Sequence, residues 1–238
     1  MKKTIIPIIF LSAGLLFAAC KKTVSDTPAT DAIVDDEVAA AVTQSVSASS
    51  GGMALQTQST MQMASTSTLS CGSSSDTTIS GQSASGAVIT YNYLLKFSRS
   101  MVCNNSIPSS FNVNFSGATN YSTAKMSSAD SSSAQFVITG ILPAATNYTL
   151  NENYIRKGTQ QSNYRSTPRS FTSTITIVSS NILVNKTTMK ITGGTATVFF
   201  VGVTTSGITS NRGGTITFLG AGAATLVLDN GNTYPIAW

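Results

Sequence analysis

The sequence predicts an all-β protein: an antiparallel β-sandwich or rolled β-meander, preceded by a signal peptide and a flexible Ser/Thr-rich tether. Three observations predict it. From residue 89 onward, apolar and polar residues alternate with a period of two, the spacing of a strand with one buried face. The alternating runs are short and separated by Gly- and Asn-containing turns. No long helical pattern lies among them to supply the crossovers that a parallel sheet needs.

The elements follow in chain order. Residues 1–19 read as a secretion signal. Lys2 and Lys3 give the positive start, Ile5 to Phe17 the apolar stretch, and Ala18 and Ala19 the small residues before a cleavage point. The apolar stretch falls short of the ~20 residues of a membrane span. Phe17-Ala18-Ala19-Cys20 resembles the bacterial lipobox, with Phe where that pattern prefers Leu. The resemblance implies a diacylglyceryl thioether on Cys20 and a palmitate-type chain on its amino group. Two or more acyl chains anchor stably where one does not, so the mature chain would hold to a bilayer without spanning it.

Residues 20–70 read as tether, with a short helix at 30–44. There Ile33, Val34, Val38, Ala41 and Val42 fall on one side, and Asp35, Asp36 and Glu37 favour the positive end of the helix dipole. The Ser/Thr/Gln/Met-rich run from Ser45 to Ser70 has too little apolar surface to fold alone and reads as a spacer. The alternative is that its Met and Leu residues dock onto the body.

The body is 71–238. Ile89, Tyr91, Tyr93, Leu95 and Phe97 make one strand face; Phe111, Val113 and Phe115 make the next. Phe136 and Ile138, Tyr148 and Leu150, then Phe171, Ile175 and Ile177 continue the pattern. Ala196, Val198 and Phe200 oppose Thr197, Phe199 and Val201. Ile216 and Phe218 lead to Ala224, Leu226 and Leu228. Asn230-Gly231 is the preferred central pair of a type I′ hairpin, and Tyr234, Ile236 and Trp238 finish the chain. Pro235 confines that last strand to an edge. About nine or ten strands result.

Three cysteines minus the lipidated one leave Cys71 and Cys103. Parity and an oxidising compartment predict a disulfide, against the alternative of two buried free thiols. A loop of about thirty residues makes it worth ~3–4 kcal/mol.

Charge and chemistry narrow the function. Charged residues are 10% of the chain, against the usual ~25%. The acids Asp26, Asp31, Asp35, Asp36 and Glu37 precede a body with ten Lys/Arg and four acids, an acidic leader before a basic body. The basic residues are scattered singly, which excludes a nucleic-acid face. The chain has no histidine, and so lacks the commonest general base and metal ligand. Asp76, Asp130, Glu152 and Asp229 form no short-range pair. There is no nucleophile elbow, phosphate loop or calcium loop. The expectation is a non-catalytic protein without cofactor or metal.

Binding is the remaining class. Tyrosines offer stacking faces for sugar rings. Tyr91 and Tyr93 lie on the regular apolar face and read as core. Tyr121, Tyr154 and Tyr164 stand near polar or turn-like stretches and read as surface candidates. With Arg156, from the run Arg156-Lys157-Gly158 that continues to Arg165 and Arg169, they are the candidate ligand-binding residues. A solvated hairpin is the plainer account of that basic run.

The lipobox with Lys21-Lys22, Gly51-Gly52-Met53, Cys71-Gly72 and the stretch from Tyr148 to Gly158 resemble uncharacterised secreted lipoproteins of Bacteroidota-type bacteria. So do the turn-and-strand patterns at 214–220 and 229–234. The resemblance implies an outer-membrane, lipid-anchored address, periplasmic or surface-exposed, and a β-rich body; it carries no activity. Asp76-Thr77-Thr78 looks like the O-glycosylation acceptor of those bacteria, with Thr77 as the modified residue. The expected partners are a membrane, through the lipid, and a glycan or another envelope protein. The alternatives to a binding or adhesion module are an accessory subunit packed on such a protein and, further off, a hydrolase.

Overall fold

The computed structural model describes residues 31–238. The signal peptide at 1–19, Cys20 and the tether at 21–29 lie outside the described residues. The body is all-β: ten strands in a single antiparallel sheet, each paired with the next in sequence. The strands are β1 (Ser74–Gln82), β2 (Thr90–Asn104), β3 (Ile107–Ser122), β4 (Met126–Thr139), β5 (Asn147–Ser162), β6 (Arg169–Asn185), β7 (Ile191–Thr204), β8 (Thr209–Gly220), β9 (Ala223–Leu228) and β10 (Thr233–Ala237). The meander expectation therefore holds, and the sandwich alternative gives way to one sheet with two edges, β1 and β10.

One face of that sheet is apolar because every strand places alternate side chains on it. Phe97, Phe115, Phe136, Leu150, Ile177, Val198, Ile216 and Leu226 belong to a single buried cluster. Their outward neighbours are mostly polar, as in β3, which shows Asn114, Ser116 and Asn120 to solvent, with single exposed apolar residues such as Val137, Val178, Phe199 and Val227 among them. Among the described residues, no helix is long and apolar enough to cross a membrane.

The apolar face is covered by the chain's own start. Residues 31–65 form α1 (Asp35–Val46), a short 3-10 turn (Ala48–Ser50) and α2 (Met53–Ser65). Val38, Val42, Val46, Met53 and Met61 are all 0% exposed and join the same cluster as the strands. Each fully buried side chain of this kind contributes about 1.5–3 kcal/mol. For residues 45–64 the spacer reading gives way to docking, since their buried side chains lie against apolar strands; residues 65–70 are exposed or half-buried. A helix forms where one was expected at 30–44, but α1 begins five residues later and ends two residues later. The Glu37 carboxylate accepts a hydrogen bond from the Val34 N–H at 3.0 Å, one half of a capping box that sets the start of α1.

The sheet curls around these helices, since strands far apart in order reach them. Ile33 packs into the space left by Gly202 on β7, where an added Cβ would stand 2.4 Å from the Ile33 side chain. Gly51, in the turn before α2, lies against Thr119 of β3 and Tyr93 of β2. Tyr234 of β10 reaches Asp36 on α1. Cys71 and Cys103 form the disulfide, with 5.5 Å between Cα atoms; it ties the entry of β1 to the end of β2.

The turns refine one expectation. At 229–232 only Gly231 has positive φ, +88°, and its N–H donates to the Leu228 carbonyl at 2.8 Å. That is a three-residue hairpin with glycine in the left-handed position, not the type I′ turn. Asn105 and Ser106, both with positive φ, make the two-residue turn between β2 and β3 instead.

Candidate functional site

In an up-and-down meander, alternate turns share one end of the sheet. The turns after β1, β3, β5, β7 and β9 therefore gather at what we term the near end. The described chain also begins there. The Arg169 guanidinium donates to the Asp31 carbonyl at 2.6 Å and to Glu37 Oε1 at 2.9 Å, and the Arg165 guanidinium to the Ala32 carbonyl at 2.8 Å. Ser162 donates to Glu37 Oε1 at 2.6 Å. Asp35 accepts from Arg212 at 2.7 Å and from Asn232 at 2.8 Å. Asp31, Asp35 and Glu37 of the acidic leader thus pair with Arg169 and Arg212 of the basic body.

Three of the four candidate ligand residues, Tyr121, Tyr154 and Arg156, are buried rather than on the surface. Tyr121 and Tyr154 are 4% and 0% exposed and belong to the interior, because they fall on the inward phase of β3 and β5. Arg156 is interior too. Its guanidinium pairs with Asp130 at 2.7 Å and donates to the Gln44 carbonyl at 2.8 Å and the Ser50 carbonyl at 3.4 Å, with the Tyr121 ring centroid 5.3 Å away. Gly158 makes room for Asp130, since a Cβ there would meet its carboxylate. Ser128 and Gln160 hydrogen-bond the other Asp130 oxygen. This network fastens helices to sheet. Tyr91 and Tyr93, expected in the core, are instead half-buried. Thr77 is half-buried on β1, opposite Phe97.

Tyr164 does reach a cavity. It walls a groove of about 450 Å³ at the near end, between α1 and edge strand β10. Ala39 and Ala40 of α1 form an apolar side, and Tyr234 with Pro235 the opposite wall. Two charges of opposite sign line it. Lys125 Nζ lies 5.5 Å from the Tyr164 ring centroid, and Asp36 accepts the Tyr234 hydroxyl hydrogen at 3.1 Å. Burial, then that hydrogen bond, pushes the Tyr234 phenol up to about 12. Burial and the Asp36 and Glu37 charges also raise Tyr164. Both hydroxyls stay protonated at physiological pH; the Tyr234 proton is held by Asp36, so its oxygen faces a ligand as an acceptor.

Sequence reasoning did not single out Tyr234, Lys125 or Asp36. Tyr234 carried a readable signal, an aromatic on a proline-marked edge strand. Lys125 and Asp36 carried none, being brought together only by the curl. The four body carboxylates remain apart. Glu152 stands opposite Phe136, six residues along β4 from Asp130, which is ~20 Å of strand. Among the described residues, no group of three or more His, Cys, Asp or Glu is gathered to hold a metal ion.

No protein-family model, curated protein or solved structure matches this chain.

Proposed function

We propose that this chain is a lipid-anchored protein of the cell envelope, held to the outer membrane through Cys20, whose β-rich body is a non-catalytic glycan-binding module. The observation that carries the reading is the groove walled by Tyr164 and Tyr234. Its volume lies in the range of small-ligand sites. Two aromatic faces, each with a neutral phenol hydroxyl, suit the C–H faces and hydroxyls of a sugar ring. The anchor rests on the lipobox-like Phe17-Ala18-Ala19-Cys20.

Glycan-array binding by the full-length protein in detergent tests the first part. Tyr164→Ala and Tyr234→Ala should each weaken the bound glycan by roughly tenfold or more, as loss of an aromatic anchor does, with an unchanged melting temperature. An empty array sinks the glycan reading. For the anchor, Cys20→Ser should move the protein from the membrane to the soluble fraction; a native N-terminus without acyl mass overturns it.

A second reading has its own observation. Edge strand β1 runs nine residues without proline, lysine or bulge, and Asp76 is its one charge, which leaves it lightly protected as an edge. A partner strand from another envelope protein would add there, and crosslinking at Thr78 in intact cells would capture it.

A further inference from the structure

A second cavity neighbours the tyrosine groove along the chain. Ile89 lines the groove, and the next two residues, Thr90 and Tyr91, line a cavity of about 460 Å³ between the β1–β2 hairpin and the end of β3. The same handover occurs on the neighbouring strand. Tyr121 and Ser122 border the second cavity, Thr123 and Ala124 the first. Successive residues of an extended chain are ~3.3 Å apart, so the linings of the two cavities are chain neighbours at two places.

The second cavity has the same chemistry in a different arrangement. Tyr91 is half-buried, and its ring lies parallel to that of Tyr93, with centroids 6.0 Å apart and planes 7° apart. Tyr93 in turn lies over Gly81 of β1. Any Cβ at that position would come within 2.3 Å of the Tyr93 hydroxyl oxygen, so glycine is what admits the ring. The polar rim is neutral. Asn120 Nδ2 donates to Asn92 Oδ1 at 3.0 Å, and Ser83 Oγ accepts the Tyr91 N–H at 3.2 Å. No Lys, Arg, Asp or Glu lines this cavity, and the first holds one of each sign.

Aromatic faces beside amides and hydroxyls, with no net charge along the path, match a chain of uncharged sugar rings. An anionic polymer would find no paired cation in the second cavity. We propose that the two cavities form one track for a neutral oligosaccharide, the Tyr164–Tyr234 groove and the Tyr91 cavity holding successive parts of the same chain. The proposal rests on the glycan reading above and names its ligand class.

Calorimetric titration of the full-length protein in detergent tests it, with neutral cello-, malto- and chito-oligosaccharides graded from disaccharide to octasaccharide. For the series that binds, affinity rises roughly tenfold or more from the shortest to the longer members, which is ~1.4 kcal/mol. Tyr91→Ala abolishes that gain and leaves disaccharide binding as it was. Asn120→Ala, at an exposed position, reduces the same gain and decides the matter should Tyr91→Ala fail to fold. Tyr164→Ala weakens every length. Binding that is independent of length, or a length gain untouched by both variants, overturns the track while leaving the glycan reading standing. No binding by any series overturns both.

Discussion

Arg156 joins three parts of the molecule at one point. Its guanidinium neutralises Asp130 on β4 and satisfies carbonyls at the ends of α1 and the 3-10 turn. Side-chain exposure of the pair is 3% and 2%, so water cannot replace either partner. Arg156→Met should cost about 3–5 kcal/mol in urea unfolding, because it strands a buried charge; Arg156→Met with Asp130→Leu should recover part of that loss. If the double variant is no better than the single, the pair does not act as a unit. Two further carboxylates give opposite pH dependences. Burial raises Glu37, but hydrogen bonds from Arg169, Ser162 and the Val34 N–H outweigh it and leave the group below its ordinary value. Its stabilisation is present above the unfolded value of ~4.3 and is lost as pH falls through the depressed folded value. Glu152 is fully buried with neither oxygen partnered, and burial holds it well above the ordinary range. Its contribution is full below ~4.3 and drains away as pH rises through the raised folded value. Urea midpoints followed from about pH 3 to about pH 9 should therefore show Glu152→Gln gaining stability at neutral pH and losing the downward slope, while Glu37→Gln loses the acid-side fall. An unchanged slope in Glu152→Gln would place that carboxyl in water.

Among the elements, β1 depends most on its staple. It pairs with β2 alone, and none of its residues is fully buried. The Cys71–Cys103 bridge closes a separation of 32 residues, so reduction should cost about 3–4 kcal/mol in the chain-entropy model. Amide exchange should quicken in β1 before β5 or β6; uniform quickening would mean that the bridge holds the whole sheet instead. How far each element could be read in advance follows from its inward residues. β2, β3, β7 and β9 were legible because Phe, Leu and Val occupy the buried phase. The first half of β4 was not: its inward positions are Ser128, Asp130 and Ser132, a polar run that looks like a loop until Arg156 and Gln160 are placed beside it. The second half of β5 was hidden for the same reason. β1 has only Ile79 to mark it. α2 escaped because Gln56, Thr57 and Thr60 share its buried face with Met53 and Met61, so composition suggested water where the fold supplies an interior. At the site, tyrosines were visible as a class, but their exposure depends on placement: Tyr121 and Tyr154 fall on the inward phase of β3 and β5, and Tyr164 lies in the turn between β5 and β6.

At the scale of the whole molecule, the helical segment is the filling around which the sheet curls. A single antiparallel sheet needs a cover for its apolar face, and the chain provides it from residues 31–65 before the first strand begins. Residues at this start also complete the near end: Asp36 and the alanines of α1 form one side of the tyrosine groove. Stability and binding are therefore coupled through the same segment. A chain lacking residues 31–65 should expose the inner row from Phe97 to Leu226, bind a hydrophobic dye, and unfold without a cooperative transition, because the curl then encloses nothing. Adding a peptide spanning residues 31–65 should restore both the transition and glycan binding, in proportion to peptide bound, since it returns the core and the α1 wall together. Acidification should reverse the rescue, as Glu37 loses the charge that Arg169 holds. A truncated chain that unfolds as cooperatively as the full one, with the same denaturant dependence, would show that the sheet closes on itself and that the helices are an accessory.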